Sequence, residues 1–369
     1  VRVLHVYKDF YPVVGGMENH IRILARGAAA RGLEVTVLAT NPARETQVSE
    51  LEGIRVIKAG RLATVSSTPV SLALWSLIRK LETDITHLHF PYPWGEMAHL
   101  FLGRSQRTVV TYHSDIVRQT VLRRPYRPLM RRLLAKADRV IATSPNYVTS
   151  SPYLRDVAEK CTVIPLGIDL DGFRRPAGDE VQALRDKYRP PLLLFVGLLR
   201  YYKGLGYLLE AMRDLDATLL VVGTGPMRSE WEAASRELGV GEKVFFVGRV
   251  ADEDLPAFYQ ACDVFVLPAS HRSEAYGVVQ IEAMACGKPV VCTELGTGTS
   301  YVNVHQQTGL VVPPRNPHAL ARAIDDLLAD ETLRKRLGEA GRERASREFS
   351  SEVMIDRVLR MYEDVLEAR

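Results

Sequence analysis

The sequence has 369 residues, more than a single hydrophobic core usually sustains, and so predicts two domains. Its hydrophobic fraction of 46% and charged fraction of 25% exclude a disordered or fibrous chain. With 48 Lys and Arg against 44 Asp and Glu the net charge is only +4, which gives no reason to expect a nucleic-acid partner.

In chain order, the apolar run VRVLHVY is followed by Gly15-Gly16, a flexible turn that opens a long helical pattern. EVTVLAT, ITHLHF and RTVVTYH come next, the last ending on His113, where an imidazole can serve as donor, as base or as a structural side chain. Residues 118–139 gather Arg118, Arg123, Arg124, Arg127, Arg131, Arg132, Lys136 and Arg139 against Asp138. Such a face suits either solvent or the anionic inner surface of a cell membrane. RVIATS closes the first series of strands, and IPLGIDLDGFRRPAGDE breaks the periodic pattern, which places a hinge near residues 167–179.

The second series is LLLFVG, TLLVVG, KVFFVG, VFVLPA, KPVVCT and LVVPP. Short β-branched runs alternating with helical segments predict an α/β fold with two parallel sheets, in domains 1–170 and 171–350. The last segment, 351–369, has helical periodicity and is expected to return to the N-terminal domain. Cys161, Cys262, Cys286 and Cys292 form no CxxC pair and have no ligand-like histidine company, so no metal site is expected. No run approaches the roughly 20 apolar residues of a spanning helix, and the reading is a cytoplasmic protein whose membrane contact, if any, is peripheral.

Parallel sheets bind ligands beyond the carboxyl ends of their strands, which directs attention to the residues after each run. After LLLFVG, Arg200 and Lys203 form a cationic loop suited to a diphosphate, although a solvated lysine fits the same position. After VFVLPA, Glu274 ends a loop and Glu282 lies on the helix that Gly277 opens; carboxylates accept paired sugar hydroxyls. Glu282 sits among Val278, Val279, Ile281, Ala283, Met284 and Ala285, where a carboxylate needs a partner. Gly15-Gly16 lacks the full GxGxxG pattern, which argues against a dinucleotide-dependent oxidoreductase.

YPVVGGMENH, VVTYHSD, VIPLGIDLDGF, FVGLLRYYKGLGYLLEAM, LLVVGTGP, VFFVGRV and SEAYGVVQIEAMACGKPVV together resemble the retaining glycosyltransferases of family 4, and among them GDP-mannose-dependent mannosyltransferases. The resemblance implies the GT-B fold, two Rossmann-like domains with parallel sheets facing a central cleft. It implies a nucleotide-diphosphate sugar as donor substrate, no cofactor or metal, and a glycan or lipid-linked acceptor. By the same resemblance Glu274 would contact donor-sugar hydroxyls, Glu282 the ribose and Lys203 the diphosphate, with His113 beside the transferred sugar. Gly15 and Gly16 would face the diphosphate, and the amides of Tyr276, Gly277 and Val278 would complete its site. Gly248 and Arg249 would adjoin the base, with Gly223 and Gly225 flanking the nucleotide. Leu198 stands where the family carries arginine, and Arg200 is the nearest replacement cation. A UDP-sugar-dependent transferase, a nucleotide-sugar 2-epimerase and an inactive nucleotide-sugar-binding protein are the alternatives.

Overall fold

The computed structural model describes residues 1–13, 15–116 and 120–368, with side chains except at 120–125. The chain divides into two compact units, Val1–Ile168 with the segment from Ser351, and Asp169–Ser350.

The first unit is built on an eight-stranded sheet in the order β10-β9-β8-β7-β1-β2-β4-β3. Its strands are β1 (Arg2–Val6), β2 (Glu34–Asn41), β3 (Gln47–Leu51), β4 (Ile54–Gly60), β7 (Ile85–Phe90), β8 (Arg107–Tyr112), β9 (Arg139–Ala142) and β10 (Cys161–Val163). β5 (Ala63–Val65) and β6 (Thr68–Val70) form a separate hairpin. All pairings in the large sheet are parallel except β3 with β4. The five strand runs read from the first half of the sequence therefore undercount this sheet. β3 is an exposed, polar edge strand, and Arg55 and Lys58 interrupt the apolar pattern of β4, so neither presents the continuous run by which a buried parallel strand is recognised.

The helix Ser351–Glu367 lays Met354, Ile355, Val358, Met361, Tyr362 and Val365 on Val3, Ile85, Val109 and Ile141 of this sheet. Arg31 pairs with Glu352 and Asp356 at the rim of that contact.

The second unit has six strands in the order β13-β12-β11-β14-β15-β16: β11 (Leu192–Val196), β12 (Thr218–Val222), β13 (Val244–Gly248), β14 (Val264–Leu267), β15 (Val290–Thr293) and β16 (Gly309–Val312). Every pairing is parallel. β11, β12, β14 and β15 are wholly buried, the consequence of helices on both faces, and their sequences are correspondingly apolar, with Thr218 and Thr293 the polar exceptions at strand ends. The strand order reverses between β11 and β14, so this doubly wound sheet has its crevice beyond the carboxyl ends of those two strands.

Candidate active site at the strand ends

In the second unit the loops after β11 and β14 meet at the strand-order reversal. The Ser270 amide donates to the Tyr202 carbonyl at 2.8 Å, and Lys203 Nζ lies 2.6 Å from Glu274 Oε2. Both side chains are about nine-tenths buried, with 11% and 9% exposure. The pair is held by charge more than by a well-directed hydrogen bond, since among the described residues Glu274 Oε2 lacks a donor in good alignment. Burial works against the Lys203 ammonium, yet the charge and close contact of Glu274, with smaller contributions from Tyr202 and Glu282, carry its pKa above the ordinary lysine value. Lys203 stays cationic through the physiological range.

Glu274 is positioned from behind: the Thr297 hydroxyl donates to its carbonyl at 2.9 Å and the Gly298 amide to the Ala275 carbonyl at 2.8 Å. Gly277 then turns the chain into the helix Val278–Ala285 with φ +78°, a left-handed conformation that favours glycine. The first amides of that helix have no partner within it, which is the geometry of an anion site. On the same helix Glu282 finds the partner its apolar company requires: Tyr259 OH donates to Glu282 Oε2 at 2.6 Å. Burial pushes the Glu282 pKa up to about 7, and the Tyr259 hydrogen bond pulls against that rise. Tyr259 gave no signal in the sequence beyond its place in the helical run before β14.

Gly223 and Gly225 follow β12. Gly223 adopts φ +130°, and a Cβ there would collide with the Gly197 carbonyl oxygen; one at Gly225 would crowd the Leu199 backbone. Bare backbone at both positions lets the β11 and β12 loops touch. Gly248 ends β13 and accepts from the Gly223 amide at 2.7 Å, while Arg249 is exposed beyond it. Leu198 is 54% exposed. Arg200 is also exposed, and among the described residues its side chain makes no hydrogen bond or ion pair. It shares the loop of Lys203 without joining the pair.

In the first unit Gly15 caps the helix Gly16–Ala30, and a Cβ on Gly16 would meet nothing among the described residues within 4 Å. His113 follows β8 and is buried, its amide donating to the Phe90 carbonyl at 3.1 Å. It belongs to a group of buried imidazoles that the sequence reading missed: His5 on β1, His20 on the first helix, and His87 and His89 on β7. The available signal was histidine at the same register of neighbouring runs, since His5 pairs with His87 across β1 and β7. His5 Nδ1 lies 3.0 Å from His89 Nε2, and His89 Nδ1 lies 3.2 Å from His113 Nε2. Burial drives the pKa of all five down, His5 to about 3 and His20 to about 4, so all are neutral at pH 7.

Two family models match the chain: glycosyltransferase family 4 over residues 14–172 and glycosyl transferases group 1 over residues 179–344. The D-rhamnosyltransferase WbpZ of Pseudomonas aeruginosa is 42% identical over 327 residues, covering 88% of this chain and 86% of that protein. O-antigen chain mannosyltransferase C of Escherichia coli is 38% identical over 372 residues, covering both chains fully. The chain belongs to glycosyltransferase family 4. A sucrose-phosphate synthase from Thermosynechococcus elongatus superposes over the full length of both chains with TM-score 0.82 at 26% identity, as the GT-B fold of a family 4 glycosyltransferase requires.

This family 4 glycosyltransferase thus gathers Lys203, Glu274, Gly277, Val278 and Glu282 around the β11/β14 crevice, with Tyr276 buried beside them. Arg200 and Arg249 are both exposed. The helix Thr120–Lys136 buries Tyr126, Met130, Leu133 and Leu134 and exposes Arg127, Arg131, Arg132 and Lys136, with Arg131 paired to Asp156 at 3.1 Å. Arg118 lies outside the described residues, as do the side chains of Arg123 and Arg124. Among the described residues no helix is long and apolar enough to cross a membrane.

Proposed function

We propose that this glycosyltransferase moves a mannosyl group from GDP-mannose to a hydroxyl of a growing glycan or a lipid-linked glycan, with retention at the anomeric carbon. The observation that carries the reading is the Lys203–Glu274 pair at the strand-order reversal with Glu282 on the next helix, a cation and two carboxylates where a nucleotide sugar needs them. Lys203 supports the diphosphate as it leaves with added charge, assisted by the amides at Gly277 and Val278. Glu274 accepts from hydroxyls of the transferred sugar and Glu282 from the ribose. Lys203 and the helix amides supply the countercharge without a metal ion, and the acceptor oxygen attacks from the face the phosphate leaves, passing its proton to that phosphate.

Support for a manno-configured sugar comes from the two relatives: one is a mannosyltransferase and the other a D-rhamnosyltransferase, and D-rhamnose is 6-deoxymannose. The 42% relative favours 6-deoxymannose as a second reading of the transferred sugar. The basic outer face of the helix Thr120–Lys136 suits an acceptor held at an anionic bilayer. The test is transfer from GDP-mannose, GDP-D-rhamnose, UDP-glucose and UDP-N-acetylglucosamine, with and without chelator, to a lipid-linked acceptor, with the new anomeric linkage read by NMR. A retained linkage from a GDP-linked manno sugar in chelator is the expected result; an inverted product or UDP-sugar preference would overturn the corresponding part.

A further inference from the structure

The buried histidines of the first unit form a directed chain. His5, His89 and His113 are joined at 3.0 and 3.2 Å, their rings within 26° and 23° of parallel and centroids 5.3 and 5.4 Å apart. The nitrogen separations are well short of the centroid distances, so the bonding nitrogens lie between rings set end to end. His87 stands outside the chain, because its Nδ1 is bonded to Tyr362 OH at 2.5 Å and its Nε2 to Thr111 Oγ1 at 2.6 Å. His20 packs edge-on against His89 and His113 without a hydrogen bond among the described residues.

A neutral imidazole carries one N–H and one lone pair, so each ring must donate at one nitrogen and accept at the other. The chain therefore has two possible directions. If protons pointed from His113 toward His5, the chain would end in an N–H at His5 Nε2, which is buried and has no partner among the described residues. If they pointed from His5 toward His113, the same atom would be a bare lone pair. Orphaned buried N–H groups are the rarer and costlier defect, and hydrogen bonds in series strengthen one another.

We infer that His5 and His89 are positioning residues that fix His113 as the Nδ1–H tautomer: His5 Nδ1–H donates to His89 Nε2, and His89 Nδ1–H donates to His113 Nε2. His113 then keeps Nδ1–H as its donor, which would face a sugar oxygen if the sugar lies beside it as the family resemblance implies, and it is unable to serve as a base through Nε2, whose lone pair is already occupied. The inference rests on the proposed transfer reaction only for this last consequence. Burial keeps the three rings neutral, which the single-direction chain requires.

The test is ¹⁵N NMR of the full chain labelled at histidine, with His113 assigned from the spectrum of His113→Gln. The expected result is a protonated Nδ1 and an unprotonated Nε2 on His113, without any ligand present. In His89→Phe, and more weakly in His5→Phe, the His113 tautomer becomes mixed and kcat falls roughly tenfold with little change in the donor KM. A proton on Nε2 of His113 in the unsubstituted chain overturns the inference and needs no variant to fold. An unchanged His113 tautomer in folded His89→Phe also overturns it, and a changed tautomer with unchanged kcat removes the consequence for transfer. Failure of every nucleotide sugar to react would strike the proposed function while leaving the tautomer measurement intact.

Discussion

Lys203 Nζ sits 2.6 Å from Glu274 Oε2, joining the loop after β11 to the loop after β14 where the strand order of the second unit's sheet reverses. Removing either partner alone leaves the other charge buried without compensation. Lys203→Met and Glu274→Leu are each expected to lose about 3 kcal/mol of stability. The double substitution recovers most of it, while transfer stays more than a hundredfold down in all three. Urea unfolding beside a donor-transfer assay checks this; full activity in the double variant would exclude the pair from the reaction.

Glu282, in the proposed role of holding the ribose, is expected to set a pH dependence on donor binding. With its pKa at about 7, it becomes a full acceptor for ribose hydroxyls only as pH rises through neutrality, so the donor KM falls between pH 6 and pH 8. Tyr259→Phe removes the donor that favours the carboxylate and moves this transition to higher pH. Initial rates across pH in both proteins measure the shift; a transition that stays in place or moves down contradicts the assignment.

The buried histidines make the protein acid-labile. His5, His20, His87, His89, His99 and His113 all have pKa values held below the ordinary histidine value, with burial as the largest cause. A depressed folded pKa contributes stability that is present above about 6.5 and lost as pH falls, at up to about 1.4 kcal/mol per pH unit for each ring. Glu18, Glu96 and Glu282 act oppositely, because burial raises all three, Glu96 to about 8 and Glu282 to about 7, and their contribution is lost as pH rises above about 4.5. Six rings outweigh three carboxyls, so stability is expected to drop steeply from pH 6.5 to pH 5. Thermal unfolding over that range checks the sign, and His20→Phe should flatten the slope by about one proton.

Leu198 and Arg200 share the loop that presents Lys203, and both are exposed. Leu198→Arg is therefore expected to leave the melting temperature unchanged and to lower the donor KM several-fold by adding a cation beside the diphosphate. Arg200→Ala is expected to raise the donor KM about fivefold. An unchanged KM in Arg200→Ala would show that Lys203 and the helix amides act without it.

The α/β class and all six strands of the second unit were legible in the sequence, because strands of a parallel sheet with helices on both faces read as predominantly apolar runs, as LLLFV and TLLVV do. Glu282 was legible as a residue in need of a partner, for the same reason of burial in an apolar helix. The edge strand β3 was not, since its solvated residues carry no burial pattern. Nor was Tyr259, whose hydroxyl reaches Glu282 only through the packing of two helices.

The sequence by itself determined the fold class and the loops that carry charge, because periodicity and local turn chemistry are written residue by residue. Only the tertiary structure decided that Lys203 and Glu274 form a buried pair, that Gly223 must yield space to the Gly197 carbonyl, and that His5, His89 and His113 stand in line. Each of those relations joins distant segments through sheet order and register, and no local pattern encodes which strands become neighbours.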